Sequence, residues 1–356
     1  MRIGLVLMGL LVMAVGPAAA QPAATTPEAT KPAAQVVRSG TWSMTLPLGL
    51  PADSAYIPDD NPMSDEKIAL GKLLYFDERL SKDNTLSCAS CHMPFHGFAD
   101  PNRTSPGVGR QFGARNSPTV MNRLFSREQF WDGRAKDLEE QAHGPLTNPV
   151  EMAMGSHDEV VARVKAVQGY GPLFARAYGD PGIDMPRIAR AIAAYERTVV
   201  TGDSPYDRYL AGDKSALSES QLRGLGAFFG RGRCVTCHVG FNFTDESYRN
   251  LGVGMDKPQP DLGRYVVTKR EEDKGAFKTP TLRNIVLTAP YMHDGSEGTL
   301  EAVVELYDRG GVRNPWLSKD MQPLGLSPQE KRDLVAFMEA LTGPIANAEP
   351  PAALPQ

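Results

Sequence analysis

The chain has 356 residues, 41% of them hydrophobic and 22% charged, a globular composition with length enough for two domains. That composition excludes a disordered or collagen-like chain. The formal net charge of -4 argues against a partner as negatively charged as nucleic acid.

Arg2 precedes an apolar stretch from Ile3 to Val15, and Pro17-Ala18-Ala19-Ala20 ends in the small residues that a signal peptidase cuts, here before Gln21. Residues 1–20 are therefore predicted to be a secretory signal peptide. The apolar run falls short of the roughly 20 residues that span a bilayer, so no membrane span is expected after cleavage. Residues 21–41, rich in Ala, Pro and Thr, read as a flexible leader, and residues 344–356 as a flexible tail of similar composition.

Between them, 42–343 holds the folded part. Ser64 is a candidate N-cap ahead of Asp65 and Glu66, with Ile68, Leu70, Leu73 and Leu74 on one helical face. Further helical patterns run over about 157–168, 186–200, 218–230, 299–308 and 327–341. Strand signals are weak, and the intervening stretches are rich in Gly, Pro and Asn, as when loops wrap a large prosthetic group. The fold class is predicted to be mainly α.

All four cysteines fall into two copies of one pattern, Cys88-Ala89-Ser90-Cys91-His92 and Cys234-Val235-Thr236-Cys237-His238. This is the c-type haem attachment signature. Two thiols three positions apart add across the two vinyl groups of one haem, and the adjacent histidine is held under the iron as an axial ligand. A zinc ribbon would need its two knuckles about 15 to 20 residues apart, far closer than Cys91 and Cys234 stand. The chain thus reads as two tandem cytochrome c-like domains, 42–204 and 205–343, each binding one c-type haem and joined near Asp203-Ser204-Pro205.

An iron with both axial positions filled by protein carries electrons, whereas one with a free position binds a small oxidant such as peroxide. His92 and His238 are used as proximal ligands, which leaves His96, His143, His157 and His293 of the six histidines. His96 lies too near His92 to cap the same haem, and it is read with His143 and His157 as structural. Methionine is plentiful, so composition does not assign the sixth ligands.

Several further segments carry a resemblance: Leu86-Ser87-Cys88 through His92, Arg115-Asn116-Ser117-Pro118-Thr119, Phe130-Trp131-Asp132-Gly133-Arg134-Ala135, Asn148-Pro149-Val150-Glu151-Met152, and Leu287 through Pro290-Tyr291-Met292-His293-Asp294-Gly295. Over about 45–343 the chain resembles the bacterial dihaem cytochrome c peroxidases and their relative MauG, the methylamine utilization protein. The resemblance implies a peroxidatic first haem and an electron-transfer second haem, with Trp131 between them. It places Glu151 over the open iron and Gln141 in the same pocket. A carboxylate there can take the proton from the near oxygen of peroxide and return it to the leaving oxygen, worth about 10²- to 10⁴-fold in rate.

Relatives that need reductive activation block the first iron with a histidine from the loop before the Arg-Asn-Ser-Pro motif. The corresponding loop, Thr104–Ala114, has none, and the blocking position falls at about Val108, so the first iron is expected to stay open, as on the MauG side of the family. The peroxidases carry a methionine ligand of the second haem where this chain, like MauG, has Tyr307. Tyr307 shares an apolar helical face with Leu300, Val303 and Val304, so it points inward as a ligand or as a core residue, and Met292 is the rival ligand. A phenolate ligand would lower the reduction potential of the second haem. His293 is expected to orient the loop near that haem.

The resemblance also implies one Ca²⁺ held by the Asn116 side chain and the Thr288 and Pro290 carbonyls. One departure stands out: MauG oxidises its protein substrate through a surface tryptophan two residues before the second haem motif, where this chain has Gly232. Trp316 or a surface tyrosine would have to serve as another exit. The leading expectation is a periplasmic peroxidase that reduces hydrogen peroxide with electrons from a small cytochrome c or cupredoxin. A MauG-like oxidase acting on a partner protein is the alternative, and a pure electron-transfer cytochrome the third.

Overall fold

The computed structural model describes residues 33–356. The predicted signal peptide and the leader up to residue 32 lie outside the described residues. The described residues form one compact unit, mainly helical, with four short strands among them.

The helices are α1 (Asp65–Tyr75), α2 (Cys88–Cys91), α3 (Leu138–Thr147), α4 (His157–Ala166), α5 (Tyr170–Tyr178), α6 (Met185–Glu196), α7 (Pro205–Leu210), α8 (Glu219–Phe229), α9 (Tyr265–Thr268), α10 (Leu300–Asp308) and α11 (Pro328–Glu339). Ser64 caps α1 by accepting from the Lys67 amide, as its position suggested. Four helices carry reciprocal capping boxes: Ser87 with Ser90, Ser204 with Asp207, Ser218 with Gln221, and Ser327 with Glu330. Two helices that periodicity missed, α3 and α5, hold Gly144-Pro145 and Gly171-Pro172. Pro172 falls in the first turn of α5, where its missing N–H has no intrahelical partner to lose.

The antiparallel pair β1 (Val36–Ser39) and β2 (Trp42–Thr45) begins inside the segment expected to be a flexible leader. Val37, Trp42, Leu46 and Leu50 pack on Leu124, Ala194 and Val200, so this segment buries apolar surface that composition alone did not credit. The other end differs from expectation in the same way. The Ala346 amide donates to the Val200 carbonyl, the Asn347 side chain bridges Lys72 and Thr198, and the Gly169 amide donates to the Gln356 carbonyl. Residues 344–356 are thus laid along the first helical module by backbone bonds that a free tail lacks. β3 (Tyr248–Arg249) and β4 (Phe277–Lys278) form the second pair.

Two helix crossings organise the rest. A Cβ on Gly71 would stand 1.8 Å from the Ala191 carbonyl oxygen, and one on Gly224 would stand 1.8 Å from that of Asp333, so α1 meets α6, and α8 meets α11, at backbone contact. One core surrounds α1, α3, α4, α5 and α6; the other gathers Phe228, Phe243 and Phe337 with α8, α10 and α11.

Polar groups tie the modules together. Asn122 donates to the Thr201 carbonyl and to Asn242, Thr201 donates to Asn284, and Arg283, paired with Asp207 at 2.8 Å with both side chains 1% exposed, also donates to the Gly49 carbonyl at 3.3 Å. Gly71→Ala is expected to force the first crossing apart and to cost about 1–3 kcal/mol, as overpacking of a tight contact does. A denaturant titration checks it; an unchanged midpoint would mean that the helices separate without penalty.

Candidate haem sites

Both attachment motifs are built alike. Cys88–Cys91 is a single helical turn and Cys234–Thr236 a 3₁₀ turn, and in each the following histidine amide bonds back to the first cysteine's carbonyl. The ring nitrogen Nδ1 of His92 lies 3.3 Å from the Phe98 carbonyl oxygen, and that of His238 lies 2.9 Å from the Phe243 carbonyl oxygen. With Nδ1–H donating there, Nε2 is left as the free, neutral nitrogen that an iron requires. Burial holds both imidazoles below their usual pKa, against the hydrogen bonds to carbonyls. Phe98 and Phe243 both take left-handed backbone angles, φ +54° and +51°, which turns their carbonyls toward the rings.

A second repeated segment braces each ring. Pro118 and Pro280 also contribute backbone contacts to His92 and His238. One residue on, the Thr119 hydroxyl donates to the Gly97 carbonyl at 2.6 Å, and the Thr281 hydroxyl to the Asn242 carbonyl at 2.7 Å. Both segments end in a left-handed asparagine, Asn122 or Asn284, ahead of a 3₁₀ turn. Sequence reasoning missed these residues. The signal was present as Pro-Thr-x-x-Asn at 118–122 and again at 280–284.

One cavity of about 760 Å³ is lined by both motifs. The residues expected to act at the haems all reach its wall: Cys88, Cys91, His92, Cys234, Cys237, His238, Trp131, Gln141, Glu151, Tyr307, and the calcium candidates Asn116, Thr288 and Pro290. His293 and Met292 line it as well, whereas His96, His143, His157 and Trp316 do not. The apolar bulk of that wall, the half-buried unpaired cysteines and the Nε2 atoms left free by the Nδ1 contacts fit two haems.

Trp131 is held from both halves of the chain. Its Nε1–H donates to the Asn116 carbonyl at 2.8 Å, and its own carbonyl accepts from the Lys278 amide at 2.8 Å. Beside it, Arg115 forms a two-pronged pair with Asp261 at 2.7 and 2.9 Å and reaches Asp132 at 2.6 Å. Asp132 also receives Arg134, whose guanidinium stacks over Phe130 at 3.5 Å. Phe277 stacks on His293 with ring centres 3.6 Å apart.

Glu151 accepts from the Asn148 side chain at 2.9 Å. Burial raises its carboxyl above the usual range, against the nearby Arg134 charge and the Asn148 hydrogen bond. The Thr104–Ala114 loop is pinned to this segment: the Val108 amide donates to the Glu151 carbonyl at 2.9 Å, and a Cβ on Gly107 would stand 1.7 Å from the Val150 carbonyl oxygen. The loop contributes Ser105, Gly113 and Ala114 to the cavity wall, and Val108 stays off it.

A family model described as di-haem cytochrome c peroxidase matches residues 65–215. The methylamine utilization protein MauG of Methylorubrum extorquens is 44% identical over 303 residues, 84% of this chain and 83% of that protein. The cytochrome c551 peroxidase of Pseudomonas aeruginosa is 41% identical over 297 residues, 82% of each chain. This chain belongs to the di-haem cytochrome c peroxidase family. It is a peroxidase-type oxidoreductase, and as a di-haem protein it uses two haems. Among solved structures, a MauG-like protein associated with microbial copper homeostasis superposes with TM-score 0.78 at 34% identity, over 85% of this chain and 96% of that one. The diheme peroxidase BthA of Burkholderia thailandensis, 24% identical, shares the fold with TM-score 0.67, over 88% of this chain and 94% of its own. No helix among the described residues of the di-haem peroxidase is long and apolar enough to cross a membrane.

Arg115→Met in the di-haem peroxidase leaves Asp132 and Asp261 without their shared cation, and a cost of about 3–5 kcal/mol is expected. Asp261 is pushed up by burial, but the Arg115 hydrogen bond outweighs this and holds it below the usual range. In the native protein that contribution is complete above the unfolded carboxyl pKa, about 3.9, and fades as pH falls through the lower folded value. Stability curves from pH 2 to 7 should therefore lose this acid-side fall in the variant. Parallel curves for the two proteins would remove the pair from the account.

Proposed function

We propose that the chain is a secreted, periplasmic peroxidase that reduces hydrogen peroxide at a first haem, with electrons entering through a second from a small cytochrome c or cupredoxin. In this reading 42–204 is the peroxidatic domain and 205–343 the electron-transfer domain. Cys88 and Cys91 attach one haem, Cys234 and Cys237 the other, and His92 and His238 are the proximal ligands. The observation that carries the reading is the wall of the first pocket. Glu151 and Gln141 line it, while the adjoining loop offers no histidine and is held back by its bond to the Glu151 backbone.

An iron with a free axial position supplies the electrons that split peroxide, which takes up two electrons and two protons and leaves as two waters. The chain handles the protons. Asn148 fixes one Glu151 oxygen, leaving the other to accept the proton of the near peroxide oxygen and return it to the departing one. A carboxyl raised by burial sits closer to neutrality and so suits both halves of that transfer. Trp131, bonded into both halves of the chain, is the proposed bridge for electrons between the pockets.

Tyr307, with Met292 as the rival, is the proposed second ligand of the iron held by His238. The Asn116 amide nitrogen donates to the Asn102 and Arg103 carbonyls, which turns its oxygen the other way. That oxygen and the Thr288 and Pro290 carbonyls form a neutral set suited to one Ca²⁺ with water completing the shell. Tyr307 on the cavity wall favours a second reading, in which the same machinery withdraws electrons from residues of a partner protein, as in MauG.

Electron paramagnetic resonance of the fully oxidised protein should show one high-spin and one low-spin ferric signal; two low-spin signals would overturn the open first site. Glu151→Gln is expected to lower peroxide turnover by about 10²- to 10⁴-fold with haem content and spectrum unchanged. Under peroxide, consumption of a reduced cytochrome supports the first reading, and modification of a bound partner protein the second.

A further inference from the structure

The two modules share one helix crossing and differ in the charge of one buried, cavity-lining side chain on it. Gly71 meets the Ala191 carbonyl in the first, and Gly224 meets the Asp333 carbonyl in the second. Counting onward from these contacts aligns Ile192 with Leu334 and Glu196 with Met338, and all four side chains line the cavity. Where the second module places a thioether, the first buries a carboxyl group that is 5% exposed. Its Oε2 has no hydrogen-bond partner. Most buried polar atoms are satisfied, so this orphan on a cofactor-sized cavity wall calls for a reason.

The surrounding charges are committed elsewhere. Arg197, which caps the C-terminal end of α6, forms a two-pronged pair with Glu139 of α3 at 2.6 and 2.8 Å. Arg123, from the 3₁₀ turn at 123–125, donates to Gln129, Ser126 and the Glu128 carbonyl and faces Glu246. Glu139 opposes ionisation of Glu196, and the hydroxyls of Tyr75 and Tyr195 donate to the His92 and Asn347 carbonyls instead. The remaining neighbour, Cys88, has its sulfur taken up by the haem thioether in the proposed holoprotein. Burial pushes the Glu196 carboxyl up to about 8, against the Arg197 and Arg123 charges.

We infer that Glu196 is a proton-binding site coupled to the electron count of the first haem. It gains a proton from solvent as that haem gains an electron from the donor, and releases it as the electron leaves. The only bond made or broken is the carboxyl O–H. In a pocket of low dielectric an added electron raises the free energy of a nearby carboxylate, and proton uptake cancels the added charge. Met338 cannot do this, so the second haem is free of the same linkage. The inference rests on the first haem being held at Cys88–His92.

Spectroelectrochemical titration of the holoprotein between pH 5 and 10 tests it. The first haem's potential should fall with pH around the Glu196 pKa, by at most about 59 mV per unit, the value for one proton per electron. Glu196→Gln and Glu196→Met should flatten that segment and leave the second haem's profile unchanged. Redox-induced infrared difference spectra should show a protonated-carboxyl C=O band that is lost on oxidation and missing in Glu196→Gln. An unchanged slope in Glu196→Gln, or a pH-independent first haem in the native protein, would overturn the inference. Fewer than two haems per chain, or no high-spin signal, would instead overturn the site assignment on which it rests.

Discussion

The hydrogen bond from the imidazole of His92 and of His238, the candidate proximal ligands, to a phenylalanine carbonyl is the constraint on which the rest of the structure depends. An iron ligand must present one ring nitrogen in a fixed direction, and only an acceptor on the other nitrogen fixes both tautomer and rotation. The Phe98 and Phe243 carbonyls can serve because both residues sit in the left-handed region, a conformation costly for a bulky side chain and kept only where its surroundings enforce it. Enforcement comes from the Pro-Thr-x-x-Asn segments, whose threonines bond the carbonyls just before those phenylalanines. The asparagines that end them then join the modules, Asn122 through Thr201 and Asn242, and Asn284 through Thr201 and Gly343. Ring orientation and domain packing are thus set by the same pair of loops.

The sequence displays what is periodic or chemically singular. Six of the larger helices follow from apolar spacing and caps, and the two haem motifs follow from the spacing of the four cysteines and the histidine after each pair. Helices α3 and α5 escape because Gly-Pro pairs are local stop signals that tertiary packing overrides. The hairpin at 36–45 and the laid-down C-terminus escape for another reason: their stability lies in contacts with Leu124, Val200 and Thr198, which no local pattern displays. Glu196 is invisible in the same way. Inside a helical pattern it looks like a solvated charge, and only the crossing at Gly71 turns it inward.

Gly232 bears on how far the likeness to MauG extends. Its amide donates to the Ala227 carbonyl, and a Cβ there would stand 2.8 Å from that oxygen and 3.4 Å from the Cys234 sulfur. A tryptophan at this position would need the turn between α8 and the second motif to open. The backbone of this segment is therefore fitted to a glycine, and a surface aromatic exit next to the second haem is built out of it. Trp316 is off the cavity, with the Lys274 ammonium 4.8 Å from its ring centre, and a cation there raises the cost of removing an electron from the indole. Both features favour electrons arriving from a small redox donor over electrons drawn from a protein substrate through either position.

The two pockets are alike where a haem must be gripped and unlike where chemistry must differ. Both use a helix crossing at glycine, a phenylalanine carbonyl and a proline-threonine brace. The first adds ionisable groups: Glu151, raised by burial, on one part of its wall, and Glu196, more deeply buried, on another. The second presents Met338 and Leu334 at the matching helix positions, Tyr307, whose phenol burial keeps protonated in the absence of a metal, and Arg249 and Asp320 paired with each other at 3.3 Å. Peroxide reduction consumes protons together with electrons, so a pocket doing that chemistry gains from acids that burial has brought toward neutrality. A pocket that only passes electrons gains from having no unpaired acid, because each linked proton would slow the transfer and tie its potential to pH; there Asp320 is paired with Arg249. The asymmetry of the two walls is what the proposed division of labour would require of two modules built alike.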